Sequence, residues 1–131
     1  MTFTSFAFLG GAVSAQIRVS DKEIEKMMKN LNEDVKKFTS SFDSGVGKTS
    51  IRKTTREKDS KALVKTFEQQ TAGMLRNFSK HKQAEAEVKL VLGSADRINL
   101  LLEEVKFDGR TASSWKRIQE ELDMLSKALG V

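Results

Sequence analysis

From Ser20 onward, apolar residues return every third or fourth position, the period of an α-helix that turns one side away from water. The first such stretch carries Ile24, Met27, Met28, Leu31, Val35, Phe38 and Phe42 along one stripe. Lys22, Glu25, Lys26, Lys29, Glu33 and Lys36 fill the opposite face. It opens on Ser20-Asp21-Lys22-Glu23, a capping box in which the Ser20 hydroxyl and the Glu23 carboxylate each satisfy an amide that a helix start leaves unpaired. Gly45 and Gly47 are predicted to stop it.

A basic polar segment over residues 43–58 follows, longer than most helix–helix connections, and is predicted to be flexible or in part to extend the second helix. The second periodic stretch has Leu63, Val64, Phe67, Thr71, Met74, Leu75 and Phe78, with Gly73 inside it. A glycine there weakens a helix by about 1 kcal/mol relative to alanine, so a close helix–helix approach is expected at Gly73. The stripe lapses over Ser79-Lys80-His81-Lys82-Gln83, where a turn is predicted. The third stretch carries Val88, Val91, Leu92, Ala95, Ile98, Leu101, Leu102 and Val105, with Asp108-Gly109 as its stop. The fourth carries Trp115, Ile118, Leu122, Leu125 and Leu129 and ends at Gly130. Trp115 is expected to anchor this helix to the others.

Four such helices predict an all-α fold, an antiparallel up-down four-helix bundle around one core. The alternative merges the second and third helices into one rod, giving a three-helix or oligomeric coiled assembly. The same stripes can pack within a chain or between chains, so a homo-oligomer is compatible with them.

The chain holds 131 residues, room for a single domain over residues 16–131. It has no proline to break a helix and no cysteine for a disulfide, a thiolate nucleophile or a thiolate metal site. Residues 1–15 differ from the rest: they contain no charge, carry Phe3, Phe6, Phe8 and Leu9, and close on Val13-Ser14-Ala15 before Gln16. This pattern predicts a cleaved signal peptide, too short to remain as a membrane span, and hence an exported protein, periplasmic or secreted. Its n-region lacks the usual Lys or Arg, as a start codon lying further upstream would explain.

Asp43-Ser44-Gly45-Val46-Gly47-Lys48-Thr49-Ser50 is similar to the phosphate-binding loop of Ras-like small GTPases. That resemblance implies Lys48 on phosphate and Thr49 on Mg²⁺, with nucleotide held by residues 45–49. The context argues for coincidence. Phe42 stands where the pattern needs its first glycine, the preceding residues have helical rather than strand period, and Ile51 to Arg56 is almost wholly polar.

Charge is uneven within a formal net of +5. Residues 45–61 hold six Lys/Arg against two carboxylates, while residues 83–107 are acidic. Lys48, Arg52, Lys53, Arg56 and Lys58 are the candidate contacts for a polyanion, whether nucleic acid, anionic lipid or an envelope polymer. No aromatic residue is interleaved with them as a stacking platform. His81 is the only histidine and has no ligand partner at helical spacing, since Phe78 occupies the position three before it. Glu85/Glu87 and Glu103/Glu104 are spaced so that they diverge around a helix. Met27, Met28, Met74 and Met124 read as core filler. No pattern calls for a catalytic site, a metal or a cofactor.

Phe67-Glu68, Met74-Leu75-Arg76-Asn77-Phe78, Val88 to Ile98 and the closing run from Trp115 to Val131 resemble a group of small exported bacterial helical proteins. The resemblance covers about half of the chain and implies an exported helical bundle. The expected function is that of a non-catalytic interaction or structural module with an envelope protein as partner. Binding of a polyanion through residues 48–61 is the alternative.

Overall fold

The computed structural model describes residues 19–131; the leader expected at residues 1–15 lies outside them. Four helices account for nearly all of the rest: α1 (Asp21–Val46), α2 (Thr55–His81), α3 (Glu85–Glu104) and α4 (Gly109–Leu129). The second and third stretches are separate helices. Lys82 takes the left-handed conformation (φ 58) and its amide bonds the Phe78 carbonyl, which turns the chain at the lapse in the apolar stripe.

The capping box at Ser20 forms. The Glu23 amide donates to the Ser20 hydroxyl oxygen (3.2 Å), and the Ser20 amide donates to Glu23 Oε1 (3.3 Å). At the other end α1 runs through Gly45 instead of stopping there. Gly45 is buried against the start of α4: a Cβ at this position would lie 3.1 Å from Thr111 Oγ1 and 3.3 Å from Asp108 Oδ2. The close approach expected at Gly73 is absent, since a Cβ there would meet only the end of the Arg76 side chain at 3.6 Å. Periodicity locates a helix but does not say which of its glycines faces a neighbour.

Residues 43–58, expected as a flexible segment, are the last turn of α1, a run of turns and the first turn of α2. Val46 and Ile51 tie them down, buried in the core. Asp108-Gly109, expected to stop α3, instead start α4. The Asp108 carboxylate accepts from the Thr111 amide (2.9 Å), the bond of an N-cap, and Gly109 is the first helical residue.

Contacts at the helix ends fix the topology as up-down-up-down. Glu25 near the start of α1 meets Ser79 and Lys82 at the end of α2. Asn77 meets Glu87 (2.8 Å), Arg56 pairs with Glu104, and Gly45 abuts the start of α4. α1 packs on both α2 and α4, and α2 also packs on α3, whereas α3 and α4 scarcely touch.

The stripes meet in one core, which includes Phe38, Phe42, Val64, Phe67, Met74, Ile98 and Ile118. Trp115 is its keystone. Its ring lies 5.1 Å from Phe38 of α1 and 5.7 Å from Phe67 of α2, and its indole N–H donates to Asn99 of α3 (3.4 Å). Of the methionines read as filler, Met28 and Met74 are buried and Met27 is half-buried, but Met124 is 58% exposed. Among the described residues there is no strand, and no helix is long and apolar enough to cross a membrane.

Candidate functional site

The five cations of the basic segment all sit at the end of the bundle where α1 passes into α2, with their side chains in water. The fold also brings the acidic end of α3 and the α3–α4 connection there. Arg56 pairs with Glu104. Thr111, through its hydroxyl and its amide, together with nearby Lys48 and Arg110, holds the Asp108 carboxyl below the ordinary carboxylate range. The Lys53 amide donates to Glu57 Oε1 (2.5 Å), which, with Lys61 and Arg52, lowers the Glu57 carboxyl likewise. Arg52, Lys53 and Lys58 form no ion pair among the described residues. The patch that is strongly positive in sequence is therefore interleaved with carboxylates in space.

The stretch similar to a phosphate-binding loop is the C-terminal end of a helix. Asp43 to Val46 lie in the last turns of α1, and Gly47 has ordinary right-handed backbone (φ −68). The Lys48 and Thr49 amides bond the Gly45 and Val46 carbonyls, and the Thr49 hydroxyl donates to Val46 as well (2.7 Å). These donors are used within the turn. A helix C-terminus also presents carbonyl oxygens, which suit cations better than phosphate.

His81 is exposed in the last turn of α2, and Glu85, Glu103 and Glu104 are exposed on α3. No cluster of His, Asp and Glu suited to a metal occurs among the described residues.

Sequence reasoning missed a carboxyl pair on the α1–α4 seam. Asp34 of α1 is buried, and Arg117 Nε of α4 lies 3.3 Å from its Oδ2. Lys37 lies 3.9 Å from its other oxygen. Beside it, Glu121 of α4 has one carboxyl oxygen, Oε1, buried without a hydrogen-bond partner. Burial, then the hydrogen bond and the charge of Asp34, push the Glu121 carboxyl up to about 7 against the opposing pull of Arg117 and Lys37. The surrounding cleft of about 290 Å³ is lined by Asn30, Glu33, Asp34, Lys37, Arg117 and Glu121. One sequence signal existed: each carboxylate stands three residues after a core residue, Leu31 or Ile118. That two such positions meet is a tertiary fact.

The least enclosed part of the bundle is α3. Among the described residues its side-chain hydrogen bonds to α4 converge on Asn99, whose Oδ1 accepts from Trp115 Nε1 and from Gln119 Nε2 (2.6 Å). Between them lies an open cleft of about 270 Å³ bordered by Leu92, Ala95, Leu122 and Ser126. On the side of α3 facing solvent, Leu90 is 56% exposed and Leu100 57% exposed, two of the four exposed large apolar residues among those described.

Comparison of the chain with protein-family models, curated proteins and solved structures finds no match.

Proposed function

We propose that the protein is a non-catalytic interaction module that acts in the cell envelope after export, in the periplasm or outside the cell. One observation supports this reading above the others. α3 is the most apolar of the four helices, yet it packs on α2 and scarcely touches α4, and Leu90 and Leu100 lie in water. Exposed leucines on a helix with a free side lower their free energy when a partner covers them. The leader-like residues 1–15 support the envelope as the place of action.

The test is capture from an envelope extract with the protein and with a Leu90→Glu/Leu100→Glu variant at matched helicity. The reading expects the captured partner to be lost from the variant, and identical captured sets would overturn it. N-terminal sequencing of the exported protein should begin at Gln16; an intact Met1 would remove export.

A second reading, polyanion binding, draws support from Arg52, Lys53 and Lys58, which project from the α1–α2 end without ion-pair partners among the described residues. Neutralising Lys48, Arg52, Lys53, Arg56 and Lys58 together should then abolish retention of nucleic acid or anionic polymer on a filter at low salt. No retention by the unaltered protein would end that reading. The interleaved Glu57, Glu104 and Asp108 weigh against it.

A further inference from the structure

Along the outward side of α3, the residues Ala86, Leu90, Gly93, Arg97, Leu100 and Glu104 follow at spacings of four, three, four, three and four. This is the heptad spacing of a seam that joins two helices; it runs beside the buried stripe that faces α2, and Arg97, Leu100 and Glu104 border a cleft shared with Arg56 and Leu63 of α2. All six residues are exposed. Gly93 lies mid-helix, where a Cβ would meet nothing within 4 Å. Nothing inside the bundle explains a glycine at a position where it weakens the helix.

We propose that this seam pairs antiparallel with the same seam of a second copy of the chain, about a two-fold axis level with Ala95. The inference rests on the interaction-module reading and names its partner. The register follows from the residues. With the axis at Ala95, Leu90 meets Leu100 of the second copy, and by symmetry this happens twice, which covers both exposed leucines. Arg97 meets Gly93, the one position in the seam small enough to let a long guanidinium side chain cross. Glu104 meets Ala86, and Glu104 already has its counter-charge in Arg56 of its own chain.

Charge selects the direction. Lys89 and Glu103 flank the seam on one side, both exposed. Antiparallel pairing sets Lys89 beside Glu103 of the second copy at both ends of the contact. Parallel pairing would instead set this flank beside the opposite flank of the second copy, where Ser94 and Leu101 offer no opposite charge. The two Asp96 carboxylates come together beside the axis, where the two Arg97 side chains cross. A two-helix contact of this length belongs to the small interface class, roughly below 1,200 Å² in total, the class of weak and transient encounters.

The chain has no cysteine, so a single introduced thiol reports on its own surroundings. Sedimentation of the full chain across roughly a hundredfold concentration range should show the mass rising from one copy toward two. With a short bis-maleimide, Asp96→Cys should cross-link to itself, Lys89→Cys should not, and mixed Lys89→Cys and Glu103→Cys chains should cross-link to each other. Leu90→Glu with Leu100→Glu should abolish every cross-link and leave a monomer with unchanged helicity. Self-cross-linking of Lys89→Cys in preference to the mixed pair would overturn the antiparallel register. A chain that stays monomeric throughout would overturn self-pairing. In that case, loss of envelope capture by the same leucine variant would keep the interaction-module reading, and unchanged capture would remove both.

Discussion

The two faces of α4 differ sharply. Toward α1, the helix farthest from it in sequence, it sets Trp115 against Phe38, brings Thr111 against Gly45, and places Glu121 beside Asp34. Toward α3, its neighbour in sequence, it offers few contacts, among them the Trp115 indole and Gln119 amide N–H groups that converge on Asn99. Chain proximity therefore does not choose packing partners here; the direction of each apolar stripe does. Packing on the α1–α4 side buries polar atoms, some of them hydrogen-bonded, as Thr111 is to Asp108 and Ser41, and one of them, Glu121 Oε1, without a partner.

The largest effect should come from the one side chain common to both faces. Trp115→Ala removes contacts to α1, α2 and α3 together and should cost about 3–5 kcal/mol in urea unfolding. If the loss were under 1 kcal/mol, the keystone role would be wrong. Next come two helical glycines, Gly45 at the end of α1 and Gly73 within α2, that should respond with opposite signs. Gly45→Ala sets a methyl against Thr111 and Asp108, both already held by hydrogen bonds, and should destabilise by about 1–2 kcal/mol despite alanine's better helix propensity. Gly73→Ala meets only a flexible arginine tip and should stabilise by up to about 1 kcal/mol. The same shift in melting temperature for both would erase the distinction between tight and open surroundings.

A smaller effect concerns pH. The Glu121 carboxyl is raised from 4.5 to about 7, so the folded chain keeps a proton that the unfolded chain has already released between those values. Stability from this group is greatest below 4.5, falls as pH rises toward 7, and is level above that. Glu25, Glu57 and Asp108, held low by their hydrogen bonds and neighbouring cations, act in the opposite sense and only in more acid solution. Comparing unfolding midpoints at about pH 5 and about pH 8 isolates the Glu121 contribution. Glu121→Gln should flatten that difference and, after allowance for solvent screening, add about 1 kcal/mol at the higher pH. The smallest effect belongs to the sparse seam: Asn99→Ala should cost about 0.5–1 kcal/mol, because it removes a partly exposed polar bridge and leaves the core intact.

Taken alone, the sequence determined the four helices, most of their core residues, the Ser20 capping box and the break between the second and third helices. Each follows from local chemistry: a 3.6-residue apolar period, a hydroxyl and a carboxylate three apart, a lapse in the stripe. It carried no information on which helix faces which, because a stripe records that a side is dry and not what dries it. Only the tertiary structure decided that Gly45 is a contact and Gly73 is not. In the same way it decided that Asp108-Gly109 starts a helix, that Glu104 neutralises Arg56, and that Asp34 and Glu121 share a seam. Each depends on two segments tens of residues apart arriving within a few ångströms, and burial there sets the cost of an added methyl, a charge or a missing hydrogen bond.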